Sequence, residues 1–153
     1  MSAVVTLREI AADTVRAICA LRVAPAQERL VADNAVSIAQ AYFEPAAWFR
    51  AIYADDEPVG FAMLYDPTRA AAPEDPDICY LWRFMIAVPF QKCGHGGAAL
   101  RQLIGHARAL PGVNRFRLTF VPVDGSPRDF YYRFGFRETG EVEDGEVVMD
   151  LHL

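Results

Sequence analysis

The sequence has little cysteine and little histidine, and neither is patterned. Cys19, Cys79 and Cys93 are odd in number and widely spaced, with no CxxC pair, so they form no disulfide framework. Free thiols fit a reducing cytosol. His95, His106 and His152 are scattered without metal-ligand spacing. Long apolar runs are missing too. The longest uninterrupted one, 84–90, falls far short of the ~20 residues a membrane span needs. The N-terminal residues lack a basic segment followed by an apolar one, so no signal peptide is read there. A basic excess is also absent: 15 Lys and Arg stand against 20 Asp and Glu, a net charge of −5. That argues against nucleic acid as a partner. It suits a cationic small molecule, and it is equally an ordinary solubility charge. A soluble, cytoplasmic protein is expected.

What is present is a core-forming composition. The 153 residues are 53% hydrophobic and 12% aromatic, enough for one domain over 1–153 with a real core. Strands are expected at 4–8, 48–54, 59–65, 78–88, 114–123, 136–142 and 146–153 from their β-branched, aromatic or alternating residues. Asp13 can cap a helix carrying Val15, Ile18, Cys19 and Val23. Ser37 and Gln40 have capping-box spacing, which predicts a second helix starting there and stopping near Pro45. The clearest helix is 94–110, with Leu100, Leu103, Ile104 and Ala107 on one face and Pro111-Gly112 as its stop. A short helix suits 127–133, and 27–36 and 66–77 read as loops. The order is β-α-α-β-β-β-α-β-α-β-β. It implies a mixed α/β sandwich, not a doubly wound sheet.

The informative segment is Gln91-Lys92-Cys93-Gly94-His95-Gly96-Gly97-Ala98, between a buried strand and the best helix. Glycines there let a ligand approach the backbone, and free N–H groups at a helix start make an anion site. A tight turn without a ligand is the plain alternative. A Walker A loop is excluded, because no lysine is followed by serine or threonine. Gly94, Gly96 and Ala99 match a Rossmann fingerprint formally, but the acidic residue expected ~20 positions on is missing.

The spacing Gln91-x-x-Gly94-x-Gly96 resembles the Q/R-x-x-G-x-G/A loop of the GNAT acyltransferases, which cradles the pyrophosphate of acetyl-CoA. About 35 residues on, Phe130-Tyr131-Tyr132-Arg133-Phe134-Gly135-Phe136 resembles that family's L-Y-x-x-x-G-F segment. The resemblance covers nearly the whole chain. It implies the GNAT acyl-CoA N-acyltransferase fold, a twisted and mostly antiparallel sheet with helices on both faces. It also implies acetyl-CoA as cosubstrate, bound by the loop from Gln91 to Ala98 and by the backbone of Met85, Ile86, Ala87 and Val88. One N–H of the latter group would polarise the thioester carbonyl. Tyr131 would be the general acid for the departing thiolate, with Tyr132 as fallback. Many members carry an asparagine before the tyrosine helix; here Ser126 stands nearest and could make a similar polar contact.

A finer resemblance points to the bacterial spermine/spermidine acetyltransferases. It rests on Gln27-Glu28, Asn34, Tyr42-Phe43-Glu44-Pro45, Trp82-Arg83-Phe84-Met85-Ile86, Thr139-Gly140-Glu141 and 144–149. It implies a polyamine acceptor. Another amine (an aminoglycoside, an amino acid or a protein N-terminus) or a non-catalytic acyl-CoA sensor is the alternative. The general base is not readable. Glu44 is the candidate and Glu28 the weaker one, and both could instead hold ammonium groups or be solvated surface charges. Tyr42 and Trp82 could wall the acceptor site or simply be core. Cys93 as an acyl carrier needs an activating histidine, and His95 is adjacent; a small side chain in a tight loop is the plainer account. A homodimer is compatible with the family.

Overall fold

Alternating apolar residues build the sheet at the centre of the computed structural model, which describes residues 2–153. The strands are β1 (Val5–Arg8), β2 (Ala47–Ala54), β3 (Glu57–Tyr65), β4 (Ile78–Ile86), β5 (Arg115–Phe120), β6 (Arg137–Glu143) and β7 (Glu146–His152). The helices are α1 (Val15–Cys19), α2 (Asn34–Tyr42), α3 (His95–Ala109) and α4 (Arg128–Arg133). The sheet order is β1-β2-β3-β4-β5-β7-β6. Every neighbouring pair is antiparallel except β4 and β5. This is the expected mixed α/β architecture.

Side chains alternate between the two faces of a strand, so each face gathers its own core. On one face Leu100, Leu103, Ile104 and Ala107 of α3 pack on Ile52, Leu64, Leu81, Phe116 and Leu118. On the other, Ile18 of α1 and Ile38 of α2 pack on Phe61, Met63 and Met85. Burying each such side chain contributes roughly 1.5–3 kcal/mol relative to leaving it exposed.

Several boundaries differ from expectation. Asp33, not Ser37, starts α2: its carboxylate accepts the Val36 N–H at 2.9 Å. Ser37 lies a turn inside, donating its hydroxyl to the Asp33 carbonyl at 3.2 Å. The buried Asn34 carboxamide ties that helix start to the Ile18 carbonyl at 2.9 Å. α1 closes at Cys19, which leaves Val23 outside it. β4 ends at Ile86 rather than 88, because residues around Pro89 form a 3-10 turn, Val88–Phe90. β5 stops at Phe120, before Pro122, since proline cannot donate to a ladder.

Two features of the centre position the site. Met63 pairs with Arg83 and Leu64 with Leu81, so Trp82 has no partner across β3 and makes a bulge in β4. A bulge bends its strand and raises its twist. Accordingly β4 pairs with β5 only from Ile78 to Tyr80, against Arg115 to Arg117. β5 continues along β7 as far as Phe120 while β4 turns away. The sheet therefore splits into a wedge. Its closed side is fixed by Gly60, where a Cβ would lie 2.3 Å from the Met85 carbonyl oxygen.

Candidate active site

The wedge leaves backbone groups of β4 without a strand to pair with. The Ala87 N–H donates to Val59 of β3 at 2.8 Å, and directions alternate along a strand. The N–H groups of Ile86 and Phe84 therefore face the gap. Ala87 and Val88 do not contribute there: Ala87 is bonded to β3, and the Val88 N–H is bonded to the Arg22 carbonyl at 2.9 Å. An extended ligand lying in the gap could pair with β4 as a strand would.

At the end of β4 the chain enters the glycine loop. Lys92 (φ 61°) and Gly94 (φ 84°) both adopt the left-handed region, which reverses the chain and opens α3. The first amide of this stretch bonded back into the loop is that of Ala98, to the Gly94 carbonyl at 3.2 Å. Among the described residues the N–H groups from Lys92 to Gly97 have no backbone partner, and with the helix dipole they favour an anion. Nothing lies within 4 Å of where a Gly94 Cβ would be. The loop is tied to the strand by Gln91, whose carboxamide donates to the Ile86 carbonyl at 2.8 Å and to Gln27 Oε1 at 3.0 Å.

Loop and wedge open into one cleft of about 1350 Å³. That exceeds the roughly 300–1,000 Å³ of an ordinary small-molecule pocket and leaves room for two substrates. Tyr131 lines it and is only 7% exposed. Its ring meets Phe130 and Phe136 edge-on at 5.3 and 5.7 Å. Burial alone pushes its phenol well above the usual 10. Among the described residues the fully buried side-chain polar atoms without a partner are Arg83 Nε and His106 Nε2. The Tyr131 hydroxyl has no hydrogen-bond partner among the described residues and is not one of these sealed atoms, so it opens on the cleft.

The sequence pattern of the acetyltransferase (GNAT) family matches residues 13–136. The chain belongs to the GNAT acetyltransferase family. It is an acetyltransferase by family, and acetyl-CoA is that family's cosubstrate. Solved structures share the fold. An acetyltransferase from Thermus thermophilus has a TM-score of 0.75 at 18% identity, covering 100% of both chains. The aminoglycoside acetyltransferase AAC(6')-Ib in complex with coenzyme A has a TM-score of 0.77 at 18% identity, covering 97% of this chain and 95% of that one. A GNAT acetyltransferase from Elizabethkingia anophelis with acetyl-CoA bound has a TM-score of 0.68 at 16% identity, covering 97% and 98%. No curated protein matches the chain.

The residues present fit this cosubstrate. The unpartnered amides of the loop suit a pyrophosphate, and the unpaired edge of β4 suits an amide-bearing arm. Of the residues singled out in the sequence, Glu28, Glu44, Trp82, Met85, Ile86, Gln91, Lys92, Gly94, Gly96, Gly97 and Tyr131 line the cleft. Cys93, His95, Ala98, Ala87 and Val88 do not line it. The exposed Cys93 thiol lies 3.4 Å from the Gln91 carbonyl. Ser126 borders a separate shallow depression with Pro122 and Asp124, and its N–H donates to Val123 at 3.1 Å. Tyr42 is 85% exposed and stacks edge-on with Phe43, away from the cleft wall. Glu44 Oε2 accepts the Ala46 N–H at 3.1 Å.

Phe84 and Phe130 lie in segments that carried the resemblance but were given no site role; their rings stack at 6.3 Å across the wedge. Sequence reasoning also gave no site role to Tyr65, Glu74, Asp75, Tyr80, Glu143 and Glu146, all on the cleft wall. Glu146 lies in the 144–149 segment of the finer resemblance, and the adjacent acids Glu74 and Asp75 stand in a segment read only as a loop.

Proposed function

We propose that this enzyme N-acetylates a polyamine such as spermidine or spermine by direct attack in a ternary complex. The observation that carries the reading is a two-substrate cleft with a buried, unpartnered phenol inside and carboxylates along its wall. Carboxylates outnumber the basic side chains Arg29, Arg83, Lys92 and Arg133 on that wall, and they attract ammonium groups. Acetyl-CoA supplies the activated acyl carbon as a thioester. Loop amides from Lys92 to Gly97 hold the pyrophosphate, and the N–H groups of Phe84 and Ile86 are placed to bind the arm and polarise the carbonyl. Removing one such donor costs about 10²–10³ in turnover in other enzymes.

The amine nitrogen forms the new bond to the carbonyl carbon and the carbon–sulfur bond breaks. Glu44, through water, takes the amine's proton, and Tyr131 gives its proton to the departing thiolate. Burial keeps the Tyr131 phenol protonated at every physiological pH, so the acid is always loaded. The same desolvation raises the proton affinity of a thiolate formed beside it, which keeps the transfer matched. The three cysteines are free, which supports a cytoplasmic setting.

A thiol-release assay with acetyl-CoA and a panel of spermine, spermidine, putrescine, aminoglycosides, amino acids and short peptides tests this. Selective turnover of spermine or spermidine is expected. Selective turnover of an aminoglycoside or amino acid would keep the acetyl transfer and discard the polyamine. CoA binding without turnover of any amine would favour a sensor.

A further inference from the structure

The stretch between α1 and α2 has no core of its own. Residues 27–32 line the cleft, yet none of residues 19–33 is buried, and Val23 and Val31 reach the core only in part. Such a segment is held by its hydrogen bonds more than by packing. Among the described residues only two hydrogen bonds join it to anything outside itself and the adjoining helices. Both run to the turn and loop that follow β4. The Val88 N–H donates to the Arg22 carbonyl at 2.9 Å, and the Gln91 carboxamide donates to Gln27 Oε1 at 3.0 Å.

The contact between Gln27 and Gln91 is fixed by backbone groups at both ends. Gln91 Nε2 donates to the Ile86 carbonyl at 2.8 Å, and a carbonyl can only accept. Gln27 Oε1 accepts the Ala24 N–H at 3.1 Å, and an N–H can only donate. Each carboxamide therefore has one orientation, and the two meet donor to acceptor. The Gln27 N–H donates in turn to the Ala24 carbonyl at 2.8 Å, which closes the 3-10 turn Pro25–Gln27. Two side chains thus join that turn, the glycine loop and the last residue of β4.

We infer that Gln27 is a positioning residue for cosubstrate binding: through Gln91 it latches the 19–33 wall of the cleft to the loop that receives the pyrophosphate. An anion held by the amides of Lys92 to Gly97 stiffens that loop, and the latch passes the stiffening to the wall. By linkage, a wall already held in place raises the affinity of the loop for the cosubstrate. The latch goes beyond the choice of acceptor and serves any amine.

Hydrogen exchange with and without saturating CoA tests this. In the unsubstituted enzyme CoA should slow exchange at 91–98 and also at 19–33. In Gln27→Ala the slowing at 91–98 stays and that at 19–33 is lost. Gln27→Glu keeps an oxygen for both donors, so it restores the slowing at 19–33, a rescue that a general loss of stability would not show. Calorimetry gives a second reading. Gln27→Ala should weaken CoA binding about fivefold, the scale of one hydrogen bond. Adding it to Gln91→Ala should take the loss no further than the roughly tenfold of Gln91→Ala alone, because both remove the same bond. Should Gln27→Ala fold poorly, Gln91→Ala breaks the latch from the other side and should lose the same slowing at 19–33. Slowing that persists there in a folded variant, or an additive loss of about 50-fold in the double variant, would overturn the latch.

Discussion

The Gln91 side chain holds the Ile86 carbonyl at 2.8 Å, so the glycine loop is fastened to the last residue of the strand that borders the gap. The Ile86 carbonyl is thereby engaged on the same strand edge as its N–H, which is left facing the wedge. A glutamine at this position therefore has a local task besides any contact with ligand. Gln91→Ala loses this bond and the one to Gln27, about 1 kcal/mol each and a few degrees of Tm. Affinity for CoA should weaken about tenfold, since the cradle loses its preset shape. Calorimetry with CoA checks it. Unaltered affinity in a folded variant would show that the loop keeps its shape without Gln91.

Gly60 and Gly94 are glycines for different reasons. At Gly60 a methyl would lie 2.3 Å from the Met85 carbonyl, so β3 and β4 must separate. Gly60→Ala should cost about 3 kcal/mol, in the range of severe overpacking. At Gly94 there is open space but a φ of +84°. Gly94→Ala should therefore cost only about 1–2 kcal/mol, the left-handed penalty. Denaturant titration of both variants decides it, and equal losses would contradict the distinction.

Much of this was legible because local rules and global packing agree. The α3 face at Leu100, Leu103, Ile104 and Ala107 announces itself by spacing and is buried as expected. The order of strands and helices follows from turn chemistry. What could not be read is what depends on contacts between distant segments. The Trp82 bulge has no sequence mark, since it arises from how β3 and β4 register. Asp33 and Ser37 are both competent caps, and only the anchoring of Asn34 on Ile18 selects the earlier start. Tyr65 and Glu74 meet only on the cleft wall, so their nearness had no one-dimensional signature.

Arg117 and Asp150 clamp β5 to β7 at the apex of the wedge, with side chains only 10% and 8% exposed. Asp150→Ala leaves a nearly buried guanidinium without its bidentate partner, and the expected cost is about 3–5 kcal/mol. Chemical denaturation measures this directly. A loss under about 1 kcal/mol would mean that Glu141, 3.7 Å away, takes over the pairing.

The cysteines should separate by reactivity. Cys79 is fully buried, and desolvation pushes its thiol from 9.0 up to about 12. Cys93 is exposed. With a thiol-reactive disulfide reagent at about pH 8, Cys93 should titrate quickly in the native enzyme and Cys79 only after unfolding. The sign of the pH effect follows. Between about 9 and 12 the unfolded chain releases the Cys79 proton and the folded one keeps it, so stability falls as pH rises through that window and is unaffected below it. Rapid native labelling of Cys79 would refute the burial argument.

Tyr131→Phe isolates the proposed acid. The ring sits among Phe130 and Phe136, and its hydroxyl has no protein partner, so phenylalanine fills the same space and breaks no internal bond. Stability should change by less than about 0.5 kcal/mol, because packing is conserved. Affinity for CoA should stay within about twofold. Turnover should fall about 10²-fold or more, the usual contribution of a positioned general acid. The pH profile carries a second check. Burial holds the phenol far above its ordinary value, so its loss should lower kcat across the whole accessible range without moving an acidic limb. If kcat survives, the thiolate takes its proton from elsewhere, and the exposed neighbour Tyr132 becomes the next residue to replace.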